Sequence, residues 1–275
     1  GGQDIATDLL GDVVCNPALR IGDIETERRV ILEELYLQED EPDSVAASLL
    51  DQALFPSHEL GREILGTRET IRVMDRKTIS AFHERWYRAP NIVIAAAGAV
   101  DHEQLVTGVA KSFTNREFGN LPERRPPNDS LGSDQLIRRA TEAAHVGWGW
   151  RCIGRKDSRR RALALGVQIL GGGLSSRLFQ AVREERGLAY NVFASYQLYG
   201  DAGVVTIHAA TDLKYLDELR RTVDTEVRNI VREGVTHEEL EIARKGFAGA
   251  HFLGLEDSGC LLYTSDAADE GLGVD

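Results

Sequence analysis

The sequence predicts an α+β fold, with sheets of mixed or antiparallel strands covered by helices. Helical periodicity recurs along the chain and is clearest over residues 23–39, 213–233 and 238–255. Strand patterns are of two kinds, an unbroken apolar run at 92–100 and several shorter segments. The shorter segments are residues 136–140, 142–150, 190–199 and 203–210. The last two meet at Gly200 and Asp201, which indicates a strand pair.

The length and one irregular segment predict two domains. A chain of 275 residues is long enough for two domains of ordinary size. Residues 118–130 combine three prolines with charged side chains and show no periodicity, which is typical of a linker. We therefore expect a first domain over residues 1–119, a linker over 120–132 and a second domain over 133–259.

The composition argues against several classes of partner. The net charge of −12 disfavours binding to nucleic acid or to an anionic membrane surface. No apolar run approaches the roughly 20 residues that a membrane-spanning helix needs, so no membrane span is predicted. Cys15 and Cys152 lie far apart and there is no C-x-x-C pair, which favours neither a disulfide framework nor a cysteine zinc site.

The helix predicted over residues 23–39 carries two carboxylates in an unusual place. On a wheel of about 3.6 residues per turn, Glu27 and Glu34 fall nearly in line, with apolar side chains on both sides. Both are therefore expected on the packing face, whereas Arg28 and Leu32 are assigned to the solvent side. A buried carboxylate needs a cation, a proton or a metal. The wheel leaves two explanations open: an arginine partner for each glutamate, or a metal or catalytic site.

Three motifs give the chain a resemblance to a known family. They are ETERRVILEEL at residues 25–35, LGREILGTRETI at 60–71 and GGGLSSRLFQAVREERGLAYNVFAS at 171–195. Together they resemble the pitrilysin/insulinase superfamily of zinc metallopeptidases, which includes the mitochondrial-processing-peptidase type and its bacterial relatives. The resemblance implies two related α+β domains of the LuxS and processing-peptidase type, each only partly present. Residues 1–119 would be the C-terminal half of a zinc-binding domain, and residues 133–259 the N-terminal half of a substrate-clamping domain.

The resemblance implies a Zn²⁺ cofactor and gives the two glutamates roles. In this family an H-x-x-E-H motif supplies two histidine ligands and a general-base glutamate, and a glutamate on a second helix is the third zinc ligand. Glu34 matches that third ligand, and Glu27 matches a carboxylate that supports the catalytic site. No H-x-x-E-H motif occurs in the sequence, so we expect a truncated fragment that is inactive by itself.

Arg183 and Tyr190 are the site residues that the resemblance implies in the second domain. They are seven residues apart and lie on either side of Gly187. In the family an arginine and a tyrosine at this spacing reach across to the zinc domain, bind the substrate backbone and help stabilise the tetrahedral oxyanion. A guanidinium and a phenol are suitable donors for that purpose. An isolated pair of this kind would more often be a surface arginine and a core tyrosine.

Two further features are better explained without a ligand. The glycine run at 171–173 is not followed by the G-K-[ST] ending of a phosphate-binding loop, so we expect it to end one helix and begin the next. His58 has no other histidine within four residues, which favours a packing or surface role over metal binding.

Residues 260–275 are expected to be a non-biological tail. The letters CLLYTSDAADE at 260–270 interrupt the family pattern abruptly. They resemble the conceptual translation of a transposase adapter used in making sequencing libraries. A natural acidic tail is the alternative, since the stretch carries acidic side chains and no basic ones.

The intact parent protein is therefore expected to be a bacterial zinc-dependent metalloendopeptidase. It would hydrolyse peptides or unfolded segments in an enclosed chamber, in the cytoplasm or alternatively in the periplasm. The main rival is a non-catalytic subunit that binds peptides or scaffolds a processing-peptidase-like complex. Having Glu34 together with Arg183 and Tyr190 on one chain favours an active single-chain type, able to pair as a homodimer. An H-x-x-E-H motif upstream of Gly1 would decide for the peptidase.

Overall fold

The computed structural model describes residues 2–113, 123 and 125–262, and these fall into two compact units. The first unit comprises the described residues of Gly1–Leu35, Leu65–Arg125 and Phe252–Asp275, and the second comprises Tyr36–Ile64 and Pro126–His251. Of the expected linker, residues 120–122 and 124 lie outside the described part, and the others belong to neither helix nor strand. Residues 263–275 of the expected tail also lie outside it. The expected domain boundaries and the origin of the tail stay predictions.

Helices dominate both units, and an antiparallel sheet lies in the second, so the predicted α+β class is confirmed. The main helices are α1 (Gly2–Cys15), α2 (Ile21–Asp40), α3 (Pro42–Leu54), α4 (Arg68–Val73), α5 (Arg76–Trp86), α6 (His102–Ser112), α7 (Arg160–Gly171), α8 (Leu216–Glu233) and α9 (His237–Gly254). The strands are β1 (Ala144–Cys152), β2 (Ala189–Leu198) and β3 (Gly203–Thr211). None of the helices in the described part combines the length and apolar character needed to cross a membrane.

Helix α1 packs through small residues and leaves its large apolar side chains outside. Thr7, Gly11 and Cys15 form the buried side of α1, where it meets α6. A Cβ atom added at Gly11 would lie only 2.5 Å from the Cβ atom of Ser112, so the two backbones approach closely. The larger apolar residues of α1 are exposed, namely Ile5, Leu9, Leu10 and Val13. This contact between α1 and α6 is therefore made by close backbone approach and small side chains.

The apolar run at 92–100 does not form the buried strand that its composition predicts. Its backbone pairs with no strand among the described residues, and Val93, Ile94 and Val100 are exposed. A strand is stable only when its N–H and C=O groups find partners and its side chains find a neighbouring layer. The described part of the first unit supplies neither, so the prediction of a strand here is wrong for this structure.

The second unit is built on a three-stranded sheet in the order β1-β3-β2. Both pairings are antiparallel, and the predicted pair at 190–199 and 203–210 is confirmed as β2 and β3. The strand expected at 142–150 forms two residues later, as β1. Residues 136–140 form no strand, and Leu136 and Ile137 in them are exposed. Their apolar side chains therefore meet no core in the described part of the chain.

The main core of the second unit lies between one face of the sheet and the helices α7 and α8. Its fully buried centre includes Leu178, Val182, Ile207, Leu219 and Val223. Helix α3 packs on β1, where Leu50 and Leu54 contact the positions of Gly147 and Gly149. A Cβ atom at Gly149 would lie 2.7 Å from Leu54 and one at Gly147 would lie 3.1 Å from Leu50, so the leucines would have to shift if either glycine carried a side chain.

Arg177 lies at the end of the GGGLSSR stretch, just before the short helix Phe179–Glu184, and connects this short helix to α9. Its guanidinium donates two hydrogen bonds to the carboxylate of Glu239, at 2.6 and 2.8 Å, and one to the carbonyl of Gly234 at 2.9 Å. The same carboxylate accepts the backbone N–H of Thr236 at 2.7 Å and so caps α9. Arg177 thus has a structural task, and α7 ends at Gly171, as expected for the glycine run.

The bridge between Arg177 and Glu239 should contribute to stability in a pH-dependent way. Its hydrogen bonds, chiefly those from Arg177, lower the pKa of Glu239 from 4.5 to about 2. The stabilisation is therefore present above about pH 4.5, where the unfolded carboxyl is ionised, and is lost as the pH falls toward 2. We expect Arg177→Ala to lower the free energy of unfolding by about 1–3 kcal/mol at pH 7 and by much less near pH 2.5.

Urea unfolding followed by circular dichroism at both pH values measures this difference. Arg244→Ala is the matched control, because Arg244 pairs with Glu241 at 3.1 Å on the exposed side of the same helix. The control should lose about 0.5 kcal/mol or less at either pH. Equal losses for the two variants at pH 7 would contradict a special role for Arg177.

Candidate functional site

The packing side of helix α2 is rotated about the helix axis relative to the side that the wheel predicts. Its one buried residue in the described structure is Leu35, and Arg28 and Leu32 are half-buried with it. Val30 and Leu37, expected on the packing face, are exposed. The packing stripe therefore keeps Ile24, Ile31 and Leu35 from the predicted face and extends to Arg28 and Leu32, on the side that the sequence assigned to solvent.

Arg28 explains this orientation of α2. Its guanidinium donates hydrogen bonds to the backbone carbonyls of Ile71 and Met74, the second at 2.6 Å, where α4 ends. Glu25, one turn earlier on α2, accepts two hydrogen bonds from the same guanidinium at 3.1 and 3.2 Å. Carbonyls at the end of a helix lack intrahelical donors, so an arginine that reaches them is well placed. Arg28 thus points toward the interior because the backbone carbonyls of Ile71 and Met74 accept its hydrogen bonds there.

Glu27 and Glu34 are both exposed, which corrects their expected position on the packing face. Neither carboxylate has a hydrogen-bond or ion-pair partner within the described residues. The explanation that each meets an arginine from elsewhere in the fold therefore finds no support here. Both are aligned on one open side of α2, as the two-turn spacing predicts.

The described residues do not by themselves form a metal site. They contain no group of three or more histidine, cysteine, aspartate or glutamate side chains that could hold an ion. A protein zinc site needs three or four ligands, and Glu34 could supply one of them. His58 is engaged locally, since its Nδ1 atom accepts the N–H of Leu60 at 3.2 Å and its ring lies 6.2 Å from that of Phe55. The expected packing role of His58 agrees with these contacts.

Arg183 and Tyr190 are brought together in the second unit. The guanidinium carbon of Arg183 lies 4.4 Å from the centroid of the Tyr190 ring and 4.8 Å from that of Phe179. The cation is therefore in contact with two aromatic rings, an arrangement that attracts it to both. The Arg183 side chain is 35% exposed and Tyr190 is 82% exposed, so the pair lies at the surface. Tyr190 is consequently not the core tyrosine that an isolated pair would suggest.

The hydrogen-bond donors of Arg183 remain available in the described structure. No hydrogen bond from its guanidinium is found among the described residues, and its closest carboxylate oxygen, Oε1 of Glu184, lies 3.8 Å from Nε. A guanidinium has five N–H donors in one plane and no acceptor. The pair thus presents donors to the outside and can receive a carbonyl oxygen, a carboxylate or a developing oxyanion.

A π-helical turn sets the direction of Arg183. Residues Phe179–Glu184 form this wider turn, in which the backbone N–H of Glu185 donates to the carbonyl of Gln180 at 2.9 Å. Gly187 then adopts a φ of +59°, a left-handed conformation that glycine accepts without strain. Single π-turns are rare and occur frequently at functional sites.

A β-bulge sets the direction of Tyr190. Ala189 is opposite Thr211 and Asn191 is opposite Ala210, so Tyr190 is an extra residue in the ladder. A bulge of this kind redirects a side chain and is common beside active sites. Sequence reasoning missed both irregularities and Phe179. The one available signal was the aromatic residue four positions before Arg183, the spacing that places two side chains on one helix face.

In sequence, the chain is similar to proteins of a peptidase family. The family profile described as Peptidase M16 inactive domain matches residues 74–247. A protein of Mycobacterium tuberculosis named as an uncharacterized zinc protease is 39% identical over 268 residues, covering 94% of this chain and 60% of that protein. The chain therefore spans about 60% of the length of this relative.

In fold, the chain is similar to solved structures at lower identity. The peptidase M16 inactive domain from Pseudomonas fluorescens matches with a TM-score of 0.85 and 24% identity, covering 98% of this chain and 68% of that one. A chain of Complex III2 from Candida albicans matches with a TM-score of 0.81 and 16% identity, covering 99% and 67%. At such identities the likeness shows the fold alone.

The contacts of Arg28 predict that it stabilises the orientation of α2, whereas its neighbour Arg29 does not. Arg28→Gln should lower the free energy of unfolding by about 1–3 kcal/mol, because the carbonyls of Ile71 and Met74 lose a charged donor. Arg29→Gln should cost about 0.5 kcal/mol or less, since Arg29 is exposed and its described bond, to Thr26, is 3.4 Å long. Urea denaturation of both variants tests this. Equal losses of unfolding free energy in the two variants would contradict the role of Arg28 in the orientation of α2.

Proposed function

The chain belongs to the peptidase M16 family, and on this premise we propose that it is part of a zinc-dependent endopeptidase whose second unit binds the peptide substrate. The resemblance to zinc metallopeptidases is thereby confirmed at the level of the family. The proposed reaction of the full-length protein is hydrolysis of peptide bonds. The proposed task of the residues described here is to bind and orient the peptide.

The observation that carries this proposal is the guanidinium of Arg183, fixed by two rings with its donors unused. An extended peptide offers a carbonyl oxygen at every residue, and such an oxygen fits the planar donor edge of an arginine. The phenol of Tyr190, aimed outward by the bulge, would add a second donor. Donors held in place before the substrate arrives are worth most where a tetrahedral intermediate develops negative charge.

The strand that begins at this pair supports binding of an extended chain. β2 is one of the two outer strands of the described sheet, and its sequence AYNVFASYQL contains neither a charged residue nor a proline. Edge strands of soluble proteins are usually protected by charge, proline or a covering element. An uncharged edge beside a set of hydrogen-bond donors suits a ligand that is itself a peptide.

For the first unit we propose Glu34 as a zinc ligand and Glu27 as a carboxylate that supports the site. Both are exposed and unpaired within the described residues, so neither carboxylate is occupied by another side chain of that part of the fold. Zinc, when bound, would polarise a carbonyl and activate water. The described residues hold no ligand set of three, so the other ligands would have to come from residues other than those described.

The unpaired apolar run at 92–100 supports an assignment of the first domain as one half of a larger domain. We propose that residues 1–119 are the C-terminal half of the zinc-binding domain and residues 133–259 the N-terminal half of the second. The relative from Mycobacterium tuberculosis is longer than the region matched here. A strand from such additional sequence would give Val93 and Ile94 the partner that the described residues lack.

A second function is favoured by the name of the matching family. The profile is that of an inactive domain, and the fold also occurs in a chain of Complex III2 from Candida albicans. On this alternative the chain would bind peptides or scaffold a complex without cleaving them. If the full-length gene encodes an H-x-x-E-H motif, the protein is a peptidase. If the residues at the corresponding positions have lost the motif, the chain is a peptide-binding or scaffold subunit.

Substitution of the proposed clamp should reduce catalysis without changing the metal content. In the full-length protein, Arg183→Ala and Tyr190→Phe should each lower kcat/KM by about 10²–10³-fold, the effect of losing one oxyanion donor in a well-studied protease. Arg161→Ala, an exposed arginine of α7, is the control and should leave kcat/KM unchanged. Unchanged turnover in both clamp variants, with zinc measured by mass spectrometry, would remove the assignment.

The two glutamates of α2 should behave differently when changed to glutamine. Because both are exposed, both variants should fold, as judged by circular dichroism. Glu34→Gln removes the proposed anionic ligand, so the full-length protein should lose its zinc on dialysis. Glu27→Gln should keep much of its zinc, with affinity weakened by about 10–100-fold. Full zinc occupancy in Glu34→Gln would show that Glu34 is not a ligand.

A further inference from the structure

We propose that Phe179 is the positioning residue of the peptide clamp, holding the Arg183 guanidinium in place without using any of its hydrogen-bond donors. This inference rests on the proposed function and adds a residue to it that neither the spacing of Arg183 and Tyr190 nor the family likeness assigns. It concerns how the second unit prepares the site before a peptide binds.

The three side chains form a short series of contacts at the surface of the second unit. Phe179 is half-buried at the first position of the π-helical turn, and the guanidinium carbon of Arg183 lies 4.8 Å from its ring centroid. Tyr190 lies 4.4 Å from the same carbon and is largely exposed. Phe179 is therefore the more buried of the two rings, and Arg183 connects Tyr190 to it.

The way in which Arg183 is held determines what it can still bind. A carboxylate partner at hydrogen-bonding distance would fix the guanidinium by occupying two of its N–H groups. Aromatic rings interact with the cation through their faces and leave the N–H groups free. The observed arrangement is of the second kind, since Oε1 of Glu184 lies 3.8 Å away, outside hydrogen-bonding range. Phe179 thus orders Arg183 and preserves its capacity for a peptide carbonyl.

The neighbouring residues show that the Phe179 ring has no comparable task in the core. Leu178 and Val182, on either side of the turn, are fully buried members of the main core cluster. Phe179 is only half-buried and is not a member of that cluster. The Arg183 contact is the one ring contact described for it. A change at Phe179 should therefore affect the clamp more than the fold.

The test is a double-substitution experiment on the full-length protein, using an uncleaved fluorescent peptide for Kd and a cleaved one for kcat and KM. Phe179→Leu, which keeps an apolar side chain without a ring, should weaken peptide binding by about 3–30-fold. Phe179→Tyr, which keeps the ring, should restore binding to within about 3-fold of the unmodified protein. In the Arg183→Ala background, Phe179→Leu should cause no further loss.

Phe247→Leu on α9 is the control, because Phe247 is also partly exposed and lies outside the site described here. It should leave Kd unchanged. If Phe179→Leu does not fold, as judged by circular dichroism, Phe179→Met takes its place in the same experiment. A folded ring-free variant that binds peptide normally would overturn the proposal, and so would a loss that adds in full to that of Arg183→Ala.

The outcomes separate this inference from the proposed function. If Arg183→Ala itself leaves peptide binding and turnover unchanged, the clamp is not a substrate site and both proposals fail. If Arg183→Ala weakens binding and Phe179→Leu does not, the clamp stands and the role of Phe179 is wrong. A purely structural role for Phe179 would lower stability in both backgrounds without the dependence on Arg183.

Discussion

The site in the second unit depends on how the core holds the junction between the short helix and β2. Val182 and Leu188 are buried at 0% and 3% exposure, and the N–H of Leu188 donates to the carbonyl of Val182 at 2.9 Å. Arg183 directly follows the first of these residues, and Tyr190 lies two positions after the second. Truncating either core side chain would leave a cavity, and truncation of a large buried side chain typically lowers the free energy of unfolding by about 2–5 kcal/mol. Packing therefore fixes where both clamp side chains begin.

The direction of those side chains is a different matter, and here sequence reasoning reaches its limit. The spacing of Arg183 and Tyr190 and their resemblance to a family pattern were enough to select both residues. The contact between them needs a π-turn before Gly187 and one extra residue at Tyr190 in the ladder with β3. The bulge depends on hydrogen-bond register against β3, and the π-turn depends on a bond from Glu185 to Gln180 that helical periodicity does not distinguish from an α-helical one. Phe179, by contrast, lies four positions before Arg183, a local spacing that could have been used to select it.

Elsewhere the sequence errors have a common physical cause. The helical periodicity of α2 predicted the element correctly, but its packing side was decided by the carbonyls of Ile71 and Met74, which attract Arg28. Residues 92–100 and 136–140 have the composition of strands, yet composition supplies no pairing partner. The prediction of β2 and β3 is correct because the two strands are adjacent in sequence and can pair with each other. Local patterns predict elements well and long-range partners poorly.

The two glutamates of α2 gain a different meaning from their exposure. Had they been buried, the cost of desolvating two carboxylates would have required a counter-charge within the fold. At exposed positions no such desolvation cost arises, so the described structure has no need of a partner for them. Any ligand that covers this side of α2 must therefore compensate the two carboxylates, with positive charge, a proton or hydrogen-bond donors. A divalent cation supplies such charge, whereas an apolar segment would leave Glu27 and Glu34 buried and unpaired.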